Sequence, residues 1–376
     1  MRTLWLRSPK ALGPGFRRDE RRGGELAGLA APILAALALA GCATPYVQPP
    51  LTPPADFAGP RIEDAPRAGY PGAFIVQDGA RLPFLHWAPE AGEPWAVIVA
   101  LHGMNDHDAS FRLAGPYWAG RGIETYSFDQ RGFGQAPGRG IWAGEALMTE
   151  DLRTITALVR ARRPDAVVAV VGESMGGSVA AAAFGSDRPP VADRVVLLAP
   201  GVWGWSSQSL VNRTSLWVAA RALGDLAVEP PDFIARHILA SDNLLELIRN
   251  GRDPDSILAT RFDTLSGLVD LMQSASDRLG AIRTPAILMY GAHDQVVEPG
   301  PMRRALERAG PSPSLRTAFY DDGWHLLNRN LGAQRVYDDV EAFLRDPAAP
   351  LPSGAPPVLP EIEQARAARK SHRPTK

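Results

Sequence analysis

The chain has 376 residues, of which 45% are hydrophobic and 22% are charged, and its formal net charge is −1. This length and composition favour one large α/β domain with an insertion over two independent domains. The balanced charge gives no indication of nucleic-acid binding, and the single cysteine excludes intramolecular disulfides and multi-cysteine metal sites.

The N-terminal part of the chain is predicted to be an export signal. Its first 25 residues hold seven Lys/Arg and three acids, and an uncharged segment over residues 26–40 follows. A basic head, an apolar run and small residues before a cleavage site are typical of a secretory signal peptide, here residues 1–41. The apolar run is too short for a membrane-spanning helix, which needs about 20 residues.

The segment Leu39-Ala40-Gly41-Cys42 also resembles the lipobox of bacterial lipoproteins, whose cysteine thiol is alkylated by a diacylglycerol before cleavage. Cys42 is the only cysteine and falls where the lipobox requires it, so lipidation is favoured over plain secretion. We therefore expect an exported bacterial lipoprotein that is anchored to a membrane through Cys42. Ala43, the residue directly after the cysteine, resembles what stands at this position in lipoproteins sorted to the outer membrane.

Two segments around the predicted core show little periodic pattern. Residues 42–68 hold seven prolines and are predicted to form a semi-extended tether. Residues 346–376 are dominated by Pro and Ala before a basic end, and they are predicted to be a disordered tail.

Between these segments, apolar runs alternate with helical patterns. The dipeptide Asp78-Gly79 predicts a hairpin turn. The predicted strands are Phe74–Gln77, Arg81–His86, Ala96–Leu101, Glu124–Phe128, Ala166–Val171, Arg194–Leu198, Ala286–Tyr290 and Leu315–Tyr320. Helical spacing at Leu152, Ile155 and Val159 lies between two of them. The alternation predicts a mostly parallel sheet with helices on both faces, formed by residues 69–200 and 281–345.

The pentapeptide Gly172-Glu173-Ser174-Met175-Gly176 directly follows one predicted strand and precedes a small-residue helix over Met175–Phe184. In this context it is a nucleophile elbow, in which a sharp turn holds the serine hydroxyl clear of the backbone. Glycine is needed on both sides because a side chain would block the turn and the helix. The sequence therefore predicts Ser174 as a nucleophile.

Residues 201–280 interrupt the alternation and are predicted to form a helical cap. Leu265, Leu268, Val269 and Met272 have the spacing of one apolar helix face. The aromatic residues at the start of this segment include Trp203, Trp205 and Trp217. Packing of the cap on the core is the simpler interpretation of these tryptophans, and an apolar channel for an acyl chain is the alternative.

A serine nucleophile needs a base, and the base needs an orienting carboxylate. In this architecture the acid follows a late strand and the histidine comes after it, which selects Asp294 and His325. Asp321 and Asp322 remain alternative acids. The histidines that fit this order or position less well are His237, His293 and His372.

The predicted oxyanion hole needs two backbone N–H groups that point at the developing negative charge. One is expected from Met175, directly after the nucleophile. The other is expected from Met104, where Gly103 lets the loop turn toward the substrate. His102 is predicted to brace this loop by hydrogen bonding.

Five motifs occur together over about residues 70–345. They are His102-Gly103-Met104-Asn105-Asp106-His107, Asp129-Gln130-Arg131-Gly132-Phe133-Gly134, Gly172-Glu173-Ser174-Met175-Gly176-Gly177, Gly291-Ala292-His293-Asp294 and Gly323-Trp324-His325-Leu326. The combination resembles the α/β-hydrolases of the monoacylglycerol lipase and lysophospholipase group. The resemblance implies that fold, with Ser174 as nucleophile, Asp294 as acid, His325 as base, and Met104 and Met175 as oxyanion donors. Phe133 departs from the family, which usually has His there.

The leading hypothesis is a serine hydrolase that cleaves carboxylic esters of the monoacylglycerol or lysophospholipid type through an acyl-enzyme. No metal or organic cofactor is implied. An aminopeptidase or amidase on the same fold is an alternative, with a substrate ammonium bound by cap acids such as Glu229, Asp232 and Asp242. A lipoprotein that binds ligand without catalysis is a third possibility, against which the complete Ser–Asp–His set argues.

Overall fold

A computed structural model describes residues 43–64, 72–230 and 238–371. The chain divides into two compact units, Met1–Thr44 and Pro45–Lys376, and the described residues belong almost entirely to the second. The predicted signal peptide, Cys42, Asp232, His237 and His372 lie outside the described residues.

Nine strands form the central sheet, in the order β1-β2-β3-β5-β4-β6-β7-β10-β11. Their bounds are Arg61–Glu63 (β1), Gly72–Ile75 (β2), Arg81–Trp87 (β3), Ala96–Leu101 (β4), Ile123–Phe128 (β5), Val167–Glu173 (β6), Arg194–Leu198 (β7), Ala286–Gly291 (β10) and Leu315–Tyr320 (β11). The pairs among β1, β2, β3 and β5 are antiparallel, and all pairs from β5 to β11 are parallel. The predicted mostly parallel sheet is therefore confirmed.

Helices alternate with the strands. Their bounds are Ala114–Ala119 (α1), Gly144–Arg162 (α2), Met175–Phe184 (α3), Leu210–Ala222 (α4), Leu244–Arg252 (α5), Phe262–Arg278 (α6), Pro299–Ala309 (α7), Ala333–Arg345 (α8) and Pro360–Ser371 (α9). A second, two-stranded sheet pairs Ala227–Val228 (β8) with Thr260–Arg261 (β9). No helix among the described residues is both long and apolar enough to cross a membrane.

The core forms on both faces of the sheet because the central strands are buried on both sides. In β4, Val97, Val99 and Leu101 pack into one apolar cluster, and the alternate residues Ile98 and Ala100 pack into the other. The predicted hairpin is also present, since β2 pairs with β3 across Gly79, whose φ is +80°. This double coverage explains why continuous apolar runs located the strands.

The segment predicted as a tether does not remain separate from the core. Its strand β1 pairs with β2, with Ile62 opposite Phe74. Further upstream, the Gln48 side chain donates to the carbonyl of Ile141 at 2.6 Å, and the backbone N–H of Leu51 donates to Asp78 at 2.8 Å. The tether prediction is therefore wrong for much of the described residues 43–64, because backbone pairing and polar contacts hold this segment without an apolar pattern.

The predicted disorder of the C-terminal tail is also wrong for the described residues up to 371. Pro356 accepts a hydrogen bond from the N–H of Phe319 at 2.7 Å, and the N–H of Val358 donates to the Thr317 hydroxyl at 3.0 Å. Helix α9 then follows. These contacts lie along β11, the last strand of the sheet, so the tail covers an edge that would otherwise offer unpaired backbone groups.

The predicted cap contains helices, and its last helix joins the cap to the core. Helix α6 packs against the core helices α3 and α7 and also against α4 of the cap. Its most buried apolar residues are Leu271 and Ala275, and of the predicted face only Val269 is fully buried. The short pair β8–β9 was not expected from the sequence.

Candidate active site

Ser174 occupies a sharp turn between β6 and α3, with φ of +52° and ψ of −115°. This left-handed backbone is uncommon for a residue with a side chain, and it is the strained geometry of a nucleophile elbow. The flanking glycines are sterically required. A Cβ on Gly172 would lie 2.4 Å from the carbonyl oxygen of Gly176, and a Cβ on Gly176 would lie 2.3 Å from that of Leu101.

The three side chains predicted for nucleophilic catalysis lie in one hydrogen-bonded row. His325 Nε2 lies 2.9 Å from Ser174 Oγ, and His325 Nδ1 lies 2.9 Å from Asp294 Oδ2. The other Asp294 oxygen accepts hydrogen bonds from the backbone N–H groups of Val296 and Val297. Asp294 and His325 are both buried. The carboxylate is thus fixed on one side by its own loop and faces the imidazole on the other.

The alternative acids and the neighbouring histidine are not in this row. Asp321 and Asp322 are exposed, and Asp322 bonds to Arg335. His293 stacks on Trp324, with ring centroids 5.3 Å apart. Adjacency in sequence therefore did not bring these groups to the serine.

The loop after β4 lies directly against the nucleophile. A Cβ on Gly103 would stand 3.3 Å from the Cβ of Ser174, so only glycine brings the backbone this close without displacement. Met104 follows Gly103 in this loop. Met175 is the first residue of α3, and its N–H is one of the terminal amides that have no acceptor within their helix. Both predicted oxyanion donors therefore lie on segments that flank the serine.

His102 braces this loop, as the sequence predicts. Its Nδ1 bonds to the carbonyl of Gly103 at 2.7 Å, and its Nε2 accepts from the backbone N–H of Gln130 at 3.0 Å. Burial lowers the pKa of His102 to about 4, which keeps the ring neutral and able to accept that hydrogen bond. Phe133, where the resembling family has His, packs edge-on against the His102 ring.

Sequence reasoning missed an ion cluster beneath the site, formed by Asp106, Glu173 and Arg329. Arg329 Nη2 donates to Glu173 Oε1 at 2.7 Å, and Nη1 lies 2.7 Å from Asp106 Oδ2. Glu173 lies inside the elbow motif, and this position was the one sequence signal that could have pointed to the cluster. Its partner is 156 positions away, and no local pattern could have identified it.

A second polar cluster surrounds His107 at the end of the same loop. His107 Nδ1 lies 3.2 Å from Asp108 Oδ1, and Nε2 lies 3.2 Å from Asp253 Oδ2. Burial alone would lower the pKa of His107, but Asp108, Asp106 and Asp253 outweigh it and raise this pKa to about 9. A charged imidazole therefore neutralises part of this acidic cluster.

The same cluster could in principle hold a cation. Ligand atoms of His107, Asp108 and Asp129 lie within 4.8 Å of one another. The two Asp129 oxygens already accept from the backbone N–H groups of Asp108 and Gln135. Because the imidazolium and these amides account for most of the cluster, we assign no metal to it.

The first tryptophans of the cap lie near the surface. Trp205 and Trp217 line a groove of about 270 Å³ together with Leu210 and Thr214. The indole of Trp205 donates to Asp270 at 2.6 Å.

The cap acids do not form a cluster in the described part of the chain. Asp242 accepts a hydrogen bond from the N–H of Leu331 at 2.9 Å, and Glu229 is exposed.

The sheet order, in which β5 lies between β3 and β4, and the elbow after β6 define an α/β-hydrolase fold. Residues 92–330 match the family Hydrolase_4, described as serine aminopeptidase, S33, and the chain belongs to this family.

Known proteins are similar to this chain over most of its length. A monoacylglycerol lipase of Mycolicibacterium smegmatis is 25% identical over 281 residues, which cover 72% of this chain and 95% of that protein. A monoglyceride lipase of Mus musculus is 23% identical, over 75% of this chain and 93% of that protein. The structure of a soluble variant of Saccharomyces cerevisiae monoglyceride lipase, with a substrate analogue, superposes with a TM-score of 0.58 at 16% identity. That superposition covers 80% of this chain and 100% of the yeast chain.

Proposed function

We propose that this protein is a serine ester hydrolase that cleaves monoacylglycerol or lysophospholipid-type esters through an acyl-enzyme. The observation that carries the proposal is the row of hydrogen bonds from Ser174 through His325 to Asp294. A serine hydroxyl bonded to a buried imidazole, which is bonded in turn to a fixed carboxylate, is the arrangement that activates a serine nucleophile.

In the proposed reaction, Ser174 Oγ attacks the ester carbonyl carbon while His325 Nε2 takes its proton. Asp294 orients the imidazole and stabilises its charged form. The N–H groups of Met104 and Met175 donate to the carbonyl oxygen as it becomes negative. His325 then gives the proton to the leaving alcohol, which departs and leaves an acyl-serine. A water molecule then attacks the acyl carbonyl carbon while His325 Nε2 takes one of its protons. The bond to Ser174 Oγ breaks, His325 returns the proton to this oxygen, and the carboxylic acid is released.

The relatives named monoacylglycerol lipase and monoglyceride lipase favour a lipid ester as substrate. The apolar groove beside Trp205 and Trp217 also suits an acyl chain. Neither observation sets the chain length. The substrate class is therefore proposed from the relatives, and the reaction type from the site.

An aminopeptidase or amidase is the second candidate, and the family description favours it. A substrate ammonium would need a free carboxylate near the serine. Asp242 accepts one hydrogen bond, from the N–H of Leu331, and Glu229 is exposed. The relatives named monoacylglycerol lipase and monoglyceride lipase favour the ester hydrolase over the amidase.

We also propose that the protein is exported and anchored through a lipidated Cys42, on the outer membrane. The basic head, the apolar run and Leu39-Ala40-Gly41-Cys42 support this proposal. A membrane location agrees with a lipid ester as substrate.

A paired assay tests the proposed function. We expect p-nitrophenyl esters to be cleaved with an efficiency that rises through medium chain lengths, and aminoacyl anilides to be cleaved poorly. A fluorophosphonate probe should label the wild-type protein and the control Ser178→Ala, but not Ser174→Ala. Labelling that survives in Ser174→Ala would contradict the nucleophile. A flat chain-length profile with good cleavage of anilides would favour the peptidase instead.

A further inference from the structure

The buried ion cluster of Asp106, Glu173 and Arg329 connects the three segments that carry the proposed catalytic groups. Glu173 immediately precedes the serine at the elbow. Asp106 lies in the loop after β4, two residues beyond the predicted oxyanion donor. Arg329 lies four residues beyond the histidine. One guanidinium therefore contacts the elbow and the oxyanion loop from the histidine segment.

All three side chains are withdrawn from solvent. Arg329 and Glu173 have no exposed surface, and Asp106 is 8% exposed. Both guanidinium contacts are 2.7 Å long. Ionised groups lose several kcal/mol of hydration on burial, and Arg329 Nε, Arg329 Nη1 and Glu173 Oε2 find no hydrogen-bond partner among the described residues. The attraction between the buried charges must therefore offset this loss.

We propose that Arg329 is a positioning residue for ester hydrolysis, which holds the Met104 loop against the Ser174 elbow. This role rests on the function proposed above. Strands β4 and β6 pair up to Leu101 and Gly172, and both segments leave the ladder immediately afterwards. The guanidinium links them beyond the end of that ladder.

The loop is held from three sides. His102 ties it to Gln130, which follows β5, and Asp106 ties it to Arg329 on the β6 side. Between them, Asn105 donates to the Thr260 hydroxyl at 2.7 Å and accepts from the N–H of Ile257 at 2.9 Å. Of these contacts only the guanidinium also reaches Glu173 at the elbow. Removal of the guanidinium should therefore loosen the link between the loop and the elbow, while the other contacts keep the loop folded.

Electrostatics agree with the link. Burial opposes ionisation of Asp106, but the Arg329 charge outweighs it and lowers the pKa of Asp106 to about 2. Burial raises the pKa of Glu173, and Arg329 opposes this rise. Without the guanidinium, two carboxyl groups would be buried side by side with no cation. The loop and the elbow would then separate, or a carboxyl group would take up a proton.

The test compares Arg329→Met and Arg329→Lys by kcat and KM on one p-nitrophenyl ester, well below the Tm of each variant. For Arg329→Met we expect kcat to fall about 100-fold with KM changed less than about 3-fold, since a displacement of roughly 1 Å costs that factor. Arg329→Lys keeps the charge but cannot bridge two carboxylates as a planar fork does. We expect it to recover most of the Tm and little of the kcat.

Arg163→Met is the control. Arg163 also bonds two carboxylates, Glu93 and Glu124, and Glu124 lies at the start of β5, at the opposite end of the sheet from the three segments. We expect a loss of Tm with kcat within about 3-fold of wild type, because only an ion pair distant from the site is lost. An equal loss of kcat in Arg163→Met, or an unchanged kcat in Arg329→Met, would overturn the positioning role.

Asp106→Asn covers the case in which Arg329→Met does not fold. It is nearly isosteric and removes the negative charge that faces Arg329, while Oδ1 can keep the hydrogen bond from the N–H of His107. We expect kcat to fall about 10-fold at constant KM, because the oxyanion loop should move less than it does in Arg329→Met. An unchanged kcat would again overturn the role of Arg329. A wild-type protein that cleaves no ester would instead overturn the proposed function, and this outcome is visible before any variant is made.

Discussion

The orientation of single side chains in the candidate site depends on hydrogen bonds that reach across the ends of neighbouring strands. Asp294 is the clearest case. Its Oδ1 accepts from the backbone N–H groups of Val296 and Val297, which leaves Oδ2 to face His325. Oδ2 therefore accepts the hydrogen bond from the Nδ1–H of His325. In this tautomer Nε2 carries no proton and is free to accept a hydrogen bond from the Ser174 hydroxyl.

We expect Asp294→Asn to lower kcat by about 10,000-fold on esters while the protein stays folded. The asparagine can keep its oxygen on the two backbone amides, but its NH₂ group then faces His325 and favours the wrong tautomer. Asp322→Asn is the control, because Asp322 is exposed and pairs with Arg335. Near-wild-type turnover in Asp294→Asn with a loss in Asp322→Asn would show that the acid has been misassigned.

The His107 cluster makes stability depend on pH. The pKa of His107 is raised from 6.5 to about 9. The stabilisation that its proton provides is therefore complete below pH 6.5 and is lost as the pH rises to about 9. Burial and the Asp108 charge also raise the pKa of Asp129, to about 7. Both shifts mean that the folded chain holds protons which the unfolded chain releases. The free energy of unfolding should therefore fall as the pH rises from 3.8 to about 7 through Asp129, and from 6.5 to about 9 through His107.

The variant His107→Gln tests this dependence by thermal unfolding between pH 6 and 10. We expect a Tm lower by about 5 °C or more at pH 6 to 7, and a flatter decline of Tm toward pH 9 than in wild type. His293→Gln, at an exposed position, should keep the wild-type slope. An unchanged slope in His107→Gln would mean that the cluster holds no such proton.

At the scale of secondary-structure elements, what could be predicted depended on how locally each element is determined. Strands β4 and β7 and helix α3 have the predicted bounds, because continuous apolar or small-residue runs are buried on both faces. Strand β1 and helix α9 were missed, because they join the core through backbone pairing and polar contacts to distant residues.

The same distinction applies to the site. The serine, the acid and the base follow strands in a fixed chain order, so their positions could be predicted from the sequence. The ion cluster of Asp106, Glu173 and Arg329 could not, because it exists only where three distant segments meet. Neither could the hydrogen bond from the backbone N–H of Leu331 to Asp242 in the cap.

The C-terminal segment offers a test at this scale. We expect a chain that ends at Asp346 to lose about 5 °C or more in Tm and to aggregate more readily, because it exposes the β11 edge. A chain that ends at Leu359 keeps the contacts of Pro356 and Val358 with β11, and it should lose less. Equal Tm values for both truncated chains and wild type would show that this segment does not stabilise the sheet.

On the scale of the whole molecule, contacts with the core begin only a few residues after the proposed anchor at Cys42. The Gln48 side chain donates to the carbonyl groups of Gly138 and Ile141, and its own N–H donates to the carbonyl of Trp142. Six peptide links separate Cys42 from Gln48 in the sequence. Little chain is therefore left to serve as a free tether.

The lipid anchor is tested by Cys42→Ser, expressed with its full N-terminus in a bacterium that processes lipoproteins. We expect the wild-type protein to fractionate with membranes and the variant to remain uncleaved by the lipoprotein pathway. Each buried methylene contributes about 0.8 kcal/mol, and stable attachment takes more than one acyl chain. Intact mass should accordingly show a mature chain that starts at Cys42 with more than one acyl chain. The control Thr44→Ser preserves the cysteine and should be modified like wild type. An unmodified Cys42 on the mature wild-type protein would refute lipidation, and hydrolysis of soluble esters by Cys42→Ser would separate anchoring from catalysis.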